Sequence, residues 1–380
     1  MSDITTYAQV DLGALGRNLT AIRRQVKRPV LLPVKANAYG HGLVPVGKAA
    51  VDNGWADWLA VATVGEGMAL RAGGVTAPIL KLSGALPAET PDAVAADLRL
   101  AITDLSGAES AQAAAAEQGR VAHLHLKIDS GMRRIGVDPA AAPALAAAIE
   151  AMPDVVLEGM FTHLAVADVP AQDEFTALQL SRFKETVDAV TARLGRRLEI
   201  VHAANSAGVL AHPDSWWDMV RPGIMSYGYY PDAATPKTIP LEPVLSLVTH
   251  LTYVKTVHAG ETVSYGRTWA PSADTRVGTF PVGYGDGYNR LLSNRVSVLI
   301  GGVRYPQVGR VCMDQSMVDL GPGSTIEAGA AVTLIGADGA ERITADDHAS
   351  ICGTISYEIL TSVADRVPRI YVGAQNGGGG

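Results

Sequence analysis

Alternation of two periodicities is what most restricts the fold of this chain. Read for apolar runs bounded by turn residues, roughly the first 230 residues give eight strand candidates, at 30–34, 59–63, 79–82, 98–102, 122–128, 157–163, 199–204 and 219–224. Between them lie segments with helical spacing: 64–72, 108–118, 140–151 and 173–194. In the last of these Phe175, Leu178, Phe183 and Val187 recur every three to five residues. Strands that alternate with helices must be joined by crossovers and therefore run parallel. Eight such units in about 230 residues fit an α/β fold of the (β/α)8 or TIM-barrel type, whereas a doubly wound sheet usually needs fewer strands.

After Pro240 the pattern changes to long strand-like runs at 244–257, 276–282, 296–300 and 331–335, separated by Ala-Gly, Gly-Gly and Asp-Gly dipeptides. One short helix opens at Thr344 and another covers 356–363. The expected organisation is a barrel over 1–236 and a β-rich C-terminal domain over 237–375, with the boundary in the Pro-punctuated stretch 230–241. A disordered Gly tail is expected at 376–380.

Composition narrows the function. The 380 residues carry 31 Lys+Arg against 38 Asp+Glu, a net charge of −7 without a long basic run, so no nucleic-acid partner is expected. The Ala-rich stretch 139–152 is broken by Pro143 and Glu150 and falls short of the roughly 18 apolar residues of a membrane span. The N-terminus shows no basic segment followed by an apolar one, so a cytoplasmic protein is expected. Cys312 and Cys352 suit neither a disulfide framework nor CxxC zinc binding, and no metal is expected.

In a (β/α)8 barrel the functional groups gather where strands end. The first strand ends in Lys35, with Tyr39 four residues on. A lysine that follows an apolar strand between Val34 and Ala36 is either a surface residue beside a turn or a desolvated amine suited to Schiff-base chemistry. The seventh strand ends in His202-Ala-Ala-Asn205-Ser206 and the eighth in Arg221-Pro-Gly223-Ile224. Loops after strands seven and eight are the usual phosphate site of this fold, so Ser206 and the N–H groups of Gly223 and Ile224 form a candidate cradle for a dianion. The alternative is that Ser206 is only a helix cap and Gly223 only a turn. The sixth strand ends in His163; the fifth leads through Lys127 to Arg134.

These residues carry a resemblance. The block VKANAYGHG (34–42) resembles the cofactor-lysine motif of alanine racemases, the fold-type III enzymes that use pyridoxal phosphate (PLP). The match continues through HLKIDSGMRRIG (125–136), EGMFTH (158–163), HAANSAG (202–208), RPGIMSYG (221–228), VSYGRTW (263–269), GYGDGYNR (283–290), VGRVCMDQ (308–315) and ISYE (355–358). Arg133 departs from the Gly of many members, and LAVAD (164–168) replaces a segment more often reading FATAD. The resemblance implies that Lys35 holds PLP and acts as one catalytic base, with Tyr265 of the other subunit as the second. Tyr39, Tyr357, Ser206, Gly223 and Ile224 would bind the cofactor phosphate, Asn205 would be a further cofactor-binding residue, Arg221 would face the pyridine nitrogen with His202 supporting it, and His163 would lie near the ring. Arg134 and Met313 would position the substrate carboxylate, Tyr284 would stand at the entrance, and Asp314 would have a supporting role. Lys127 matches a position that is carbamylated in some members to hold Arg134; an ordinary ion-paired lysine is the alternative.

Chemistry supports the same reading. Racemisation removes a Cα proton on one face and delivers one on the other, so two bases are needed. An arginine facing the pyridine nitrogen would keep it unprotonated and weaken the electron sink, which suppresses side reactions. A phenol ordinarily titrates near pH 10, so a tyrosine base needs cationic neighbours. The expected activity is interconversion of L- and D-alanine for peptidoglycan, by a homodimer with shared sites. Other readings are a broader amino-acid racemase, a fold-type III decarboxylase and a non-catalytic PLP carrier. No acidic partner for the pyridine nitrogen supports the decarboxylase, and VSYGRTW argues against the carrier.

Overall fold

The computed structural model describes residues 5–373. The expected tail at 376–380, and the last two residues of the second domain as drawn from sequence, lie outside the described residues. The chain divides into two compact units. One comprises Leu15–Ala38 and Leu43–Glu242; the other comprises the residues up to Ala14, Tyr39–Gly42 and those from Pro243 onward.

The chain opens with β1 (Tyr7–Asp11) and α1 (Leu12–Val26). The first unit then carries seven parallel strands: β2 (Leu31–Pro33), β3 (Trp58–Val61), β4 (Ile79–Lys81), β5 (Leu98–Ile102), β6 (Ala122–Lys127), β7 (Val155–Phe161) and β8 (Ile200–His202). They pair in chain order. Two further residues close the ring, since Met219 bridges His202 and Val220 bridges Val30, both in parallel. The strand expected at 219–224 thus shrinks to two paired residues. Pro222 has no N–H to give a ladder, and the backbone at Gly223 (φ −85°, ψ −101°) is not that of a strand. Inside the barrel Leu31, Ala60, Leu80, Ala101, Phe161 and Met219 form one buried cluster.

Helices cover the strand connections: α2 (Leu43–Asp52), α3 (Val64–Ala72), α4 (Thr90–Ala95), α5 (Leu105–Gln118), α6 (Ala142–Glu150), α7 (Asp173–Leu194) and α8 (Ser206–Ala211). Their ends follow local chemistry. Thr63 and Glu66 form a reciprocal capping box at α3. The Asp104 carboxylate accepts the Gly107 N–H at 2.8 Å, which starts α5 three residues before its apolar spacing does. Left-handed Gly119 and Gly195 end α5 and α7.

The second unit contains β9 (Leu245–His250), β10 (Tyr253–Val257), β11 (Thr275–Phe280), β12 (Ser297–Ile300), β13 (Val303–Val308), β14 (Ser316–Gly321), β15 (Ala331–Asp338), β16 (Glu341–Ile343), α9 (Ala345–Cys352), α10 (Ser356–Thr361) and β17 (Arg369–Val372). Their order in the sheet is β10, β11, β14, β13, β12, β15, β9, β1, β17, with β16 on β15. The apolar run 244–257 is therefore two strands: β9 pairs β1 and β15 while β10 pairs β11. Between them the N–H groups change partner, Leu251 donating to Ala330 and Thr252 to Thr279. Sequence drew the division at 236/237 and gave the N-terminus to the barrel. The compact units instead separate after Glu242, and β1 lies with the β-rich unit because its partners are β9 and β17. Among the described residues no helix is long and apolar enough to cross a membrane.

Candidate active site

The strand ends of the barrel unit bring Lys35, Lys127, His163, His202 and Arg221 into one electrostatic neighbourhood. Lys35 follows β2 and begins an unusual turn: Ala36, Asn37, Ala38 and Tyr39 all have φ between 52° and 54°, a left-handed conformation without a glycine. Three bonds over-determine it. The Ala36 N–H donates to Glu66 Oε1 at 2.7 Å, the Ala38 N–H to the Val34 carbonyl at 2.7 Å, and the Leu43 N–H to Asn37 Oδ1 at 2.8 Å. Lys35 is partly buried, and burial lowers its amine pKa; the charges of Arg134 and Arg221 act in the same sense, and Glu66 opposes them.

Arg221 is buried, and the partners of its guanidinium are all neutral. It donates to His202 Nδ1 at 2.7 Å, the Thr162 carbonyl at 2.7 Å and the Ala203 carbonyl at 2.9 Å. Burial brings it down to about 9, so it stays cationic at neutral pH. Burial also holds His163 and His202 well below the usual histidine value, with Arg221 the next cause in both, so both rings are neutral. Lys127 is buried 4.9 Å from the Phe161 ring centroid, and its Nζ lies 3.4 Å from the Ile128 carbonyl. Burial, then the charges of Arg221 and Arg134, lower it to about 7. Arg134 itself is exposed.

Beside this group stands the phosphate candidate. Asn205, not Ser206, caps α8, accepting the Gly208 N–H at 2.9 Å and donating to the Leu164 carbonyl at 3.3 Å. Ser206 is the first helical residue, and its Oγ accepts the Met225 N–H at 3.4 Å. Gly223 and Ile224 begin a 3-10 turn, where N–H groups have no acceptor within the turn. A hydroxyl and leading N–H groups are a donor set suited to a phosphate.

The β-rich unit holds the remaining residues. The rings of Tyr39 and Tyr357 lie 6.1 Å apart, tilted by 45°. Tyr265 is 73% exposed and Met313 55%, and Tyr284 is exposed as well. Tyr265 lines an open depression of about 810 Å³ with Thr262, Ser264, Cys312 and Gln315. Asp314 and Asp286 share one arginine, Arg366 donating to each at 2.7 Å.

Sequence reasoning passed over Glu66 and a buried polar line below Arg221. His202 Nε2 lies 3.2 Å from His125 Nδ1, and His125 Nε2 lies 3.1 Å from Glu158 Oε2. One signal was there to be read: in HLHLK, His123, His125 and Lys127 share one face of a strand whose other face is Leu124 and Leu126.

The family described as alanine racemase, N-terminal domain, matches residues 10–231, and that described as alanine racemase, C-terminal domain, matches residues 244–371. An alanine racemase of Cutibacterium acnes is 45% identical over 97% of this chain and 98% of its own length. Among solved structures, an alanine racemase of Clostridium difficile superposes with a TM-score of 0.92 at 34% identity, covering 98% of this chain and 97% of that one. An alanine racemase of Bacillus anthracis with bound L-Ala-P gives 0.91 at 36% identity, covering 100% and 97%.

Proposed function

Because this chain belongs to the alanine racemase family and interconverts L- and D-alanine, we propose that it does so at the barrel mouth around Lys35, with PLP as cofactor. The observation that carries this placement is a partly buried lysine of lowered proton affinity in the electrostatic neighbourhood of a buried arginine that has only neutral partners. The donor set fits PLP: Lys35 to hold it covalently, Ser206 with the Gly223 and Ile224 N–H groups for its phosphate, and Arg221 for its pyridine nitrogen. When bound, PLP supplies the electron sink for a Cα carbanion.

The protein's own part is proton transfer and orientation. Once the substrate amine has released it, Lys35, destabilised as an ammonium, would serve as the base on one face of Cα. Arg221 keeps its proton and presents an unyielding donor. A second base is required on the opposite face, and Tyr265 of a second copy is our assignment, with Tyr357 crowding the alanine methyl group and Arg134 and Met313 holding the carboxylate. The assembly is then a homodimer. Its product serves peptidoglycan synthesis from the cytoplasm.

Purified protein supplied with PLP and L-alanine in deuterated water should yield D-alanine carrying deuterium at Cα, read on a chiral column with mass detection. Borohydride should fix the cofactor on Lys35. No D-alanine, or the label on another lysine, would remove the site assignment. Serine should be a poor substrate and leucine worse, since each extra group in a tight pocket costs about 1–3 kcal/mol; comparable turnover of lysine or arginine would point to a broader racemase.

A further inference from the structure

Behind His202, the buried line below Arg221 continues through His125 to Glu158, two residues with no part in the reading above. It begins with an irregularity. On β6 and β7, Leu124 faces Leu157 but His125 faces Gly159, so Glu158 is an extra residue on its strand. A bulge of this kind re-aims a side chain, and the Glu158 carboxylate reaches His125 Nε2 at 3.1 Å, with Arg99 Nε at 3.5 Å and His123 Nδ1 at 3.7 Å. Burial alone would push this carboxyl up. The His125 bond and the charges of Arg99 and His123 outweigh it, and Glu158 lies below its ordinary value.

Donor and acceptor roles along the line follow from its ends. Arginine can only donate, so His202 Nδ1 must accept and its Nε2 must carry the proton. At the other end an ionised carboxylate can only accept, so His125 Nε2 carries a proton and its Nδ1 is bare. The two requirements agree at the middle bond, where His202 Nε2–H meets His125 Nδ1. Reversing either ring would set donor against donor at Arg221 or acceptor against acceptor at Glu158. Both imidazoles are fully buried, so such a mismatch would not be repaired by water. Packing holds the rings as well: Phe161 stacks on His202 at 4.8 Å and 8°, and Trp58 meets His125 edge-on at 5.6 Å.

We propose that Glu158 is a positioning residue for Arg221, acting through His125 and His202: its carboxylate takes the proton at the far end of a line whose direction Arg221 starts, and so anchors the rings that present a bare His202 Nδ1 to the guanidinium. Its importance for racemisation rests on the reading that Arg221 faces the cofactor ring. Its physical content does not. Glu158→Leu tests it by removing the acceptor at similar size, and Glu158→Gln, whose amide oxygen can still accept, is the conservative control.

The measurement is the tautomeric state of the ring nitrogens in protein labelled with 15N-histidine, prepared without PLP and assigned by single His→Gln variants. In the native protein His125 and His202 should both be Nε2–H. Glu158→Gln should resemble the native protein; in Glu158→Leu the His125 Nε2–H should lose its hydrogen-bonded shift and exchange faster, and the His202 Nε2–H signal should broaden. A native-like His125 and His202 in Glu158→Leu would overturn the proposal. Should Glu158→Leu fail to fold, a native spectrum with Nδ1–H at either histidine would overturn it equally. Loaded with PLP, Glu158→Leu should lose about tenfold or more in kcat with little change in KM for alanine. Failure of the native enzyme to racemise alanine would remove the active-site reading and leave the tautomer result standing; a wrong tautomer would do the reverse.

Discussion

A buried lysine whose guanidinium neighbours outweigh one opposing carboxylate, here Asp129, holds its proton poorly. Lys127 is in that position, lowered to about 7 by burial first and by Arg221 and Arg134 after it, against 10.5 in the unfolded chain. Between those two values the unfolded state binds a proton that the folded state does not. Stability therefore rises with pH across that window, and below it the whole cost of the buried ammonium is present. In buffer free of CO2, the denaturation midpoint of the native apoprotein should climb from about pH 7 to about pH 9. Lys127→Met should lack that climb and be the more stable protein near pH 6. Equal pH slopes in the two would show that water reaches the ammonium. A neutral amine is also the form that adds CO2, so the carbamate implied by the family resemblance has a physical basis here. Carbon-13 bicarbonate should give a carbamate signal that Lys127→Met abolishes.

At the scale of single elements, the left-handed turn Ala36–Tyr39 stands apart. Each non-glycine residue there costs roughly 1–2 kcal/mol relative to the right-handed form. Ala36 is exposed and its N–H bond to Glu66 does not need a side chain, so Ala36→Gly should raise stability by about 1 kcal/mol, read as a higher denaturant midpoint at unchanged slope. No change or a loss would mean that glycine's extra freedom in the unfolded chain cancels the relief. Asparagine alone among the four takes this region readily, so KANAY gives only a faint sign of such a turn; the Glu66 carboxylate that holds the Ala36 N–H comes from 30 residues away in the chain. Elements whose cause is local were legible. Helices 64–72 and 173–194 appear with the bounds their spacing gave, and the Thr344 cap lies where the sequence put it. Elements decided by distant partners were not: β1 takes its place from β9 and β17, and the run 244–257 breaks only because its two halves pair with different strands. The site divides in the same way. Lys35, Arg221 and Ser206 stand out because they end strands or open helices; Glu158 does not, since a bulge turns a residue that alternation alone would point elsewhere.

For the molecule as a whole, the proposed bases belong to different units of the chain, Lys35 to the barrel and Tyr265 to the β-rich unit. Tyr265 and Met313 are more than half exposed, a surface open to contact with a second copy. A two-fold dimer in which each site borrows Tyr265 from the second copy is the simplest closed arrangement that uses both bases and covers that surface. Lys35→Ala and Tyr265→Ala should each be almost inactive alone, because each lacks the base on one face of Cα. Unfolding the two together in equal amounts and reassembling them makes about half of the dimers mixed. In a mixed dimer with shared sites, one site collects both lesions and the other has an intact Lys35 and an intact Tyr265. Activity should then recover to about a quarter of the native value, one good site in two for half of the molecules. If both bases came from one chain, every site would keep a lesion whatever the mixture. Reassembly would restore nothing, and the shared site, with the homodimer as its functional unit, would have to be given up.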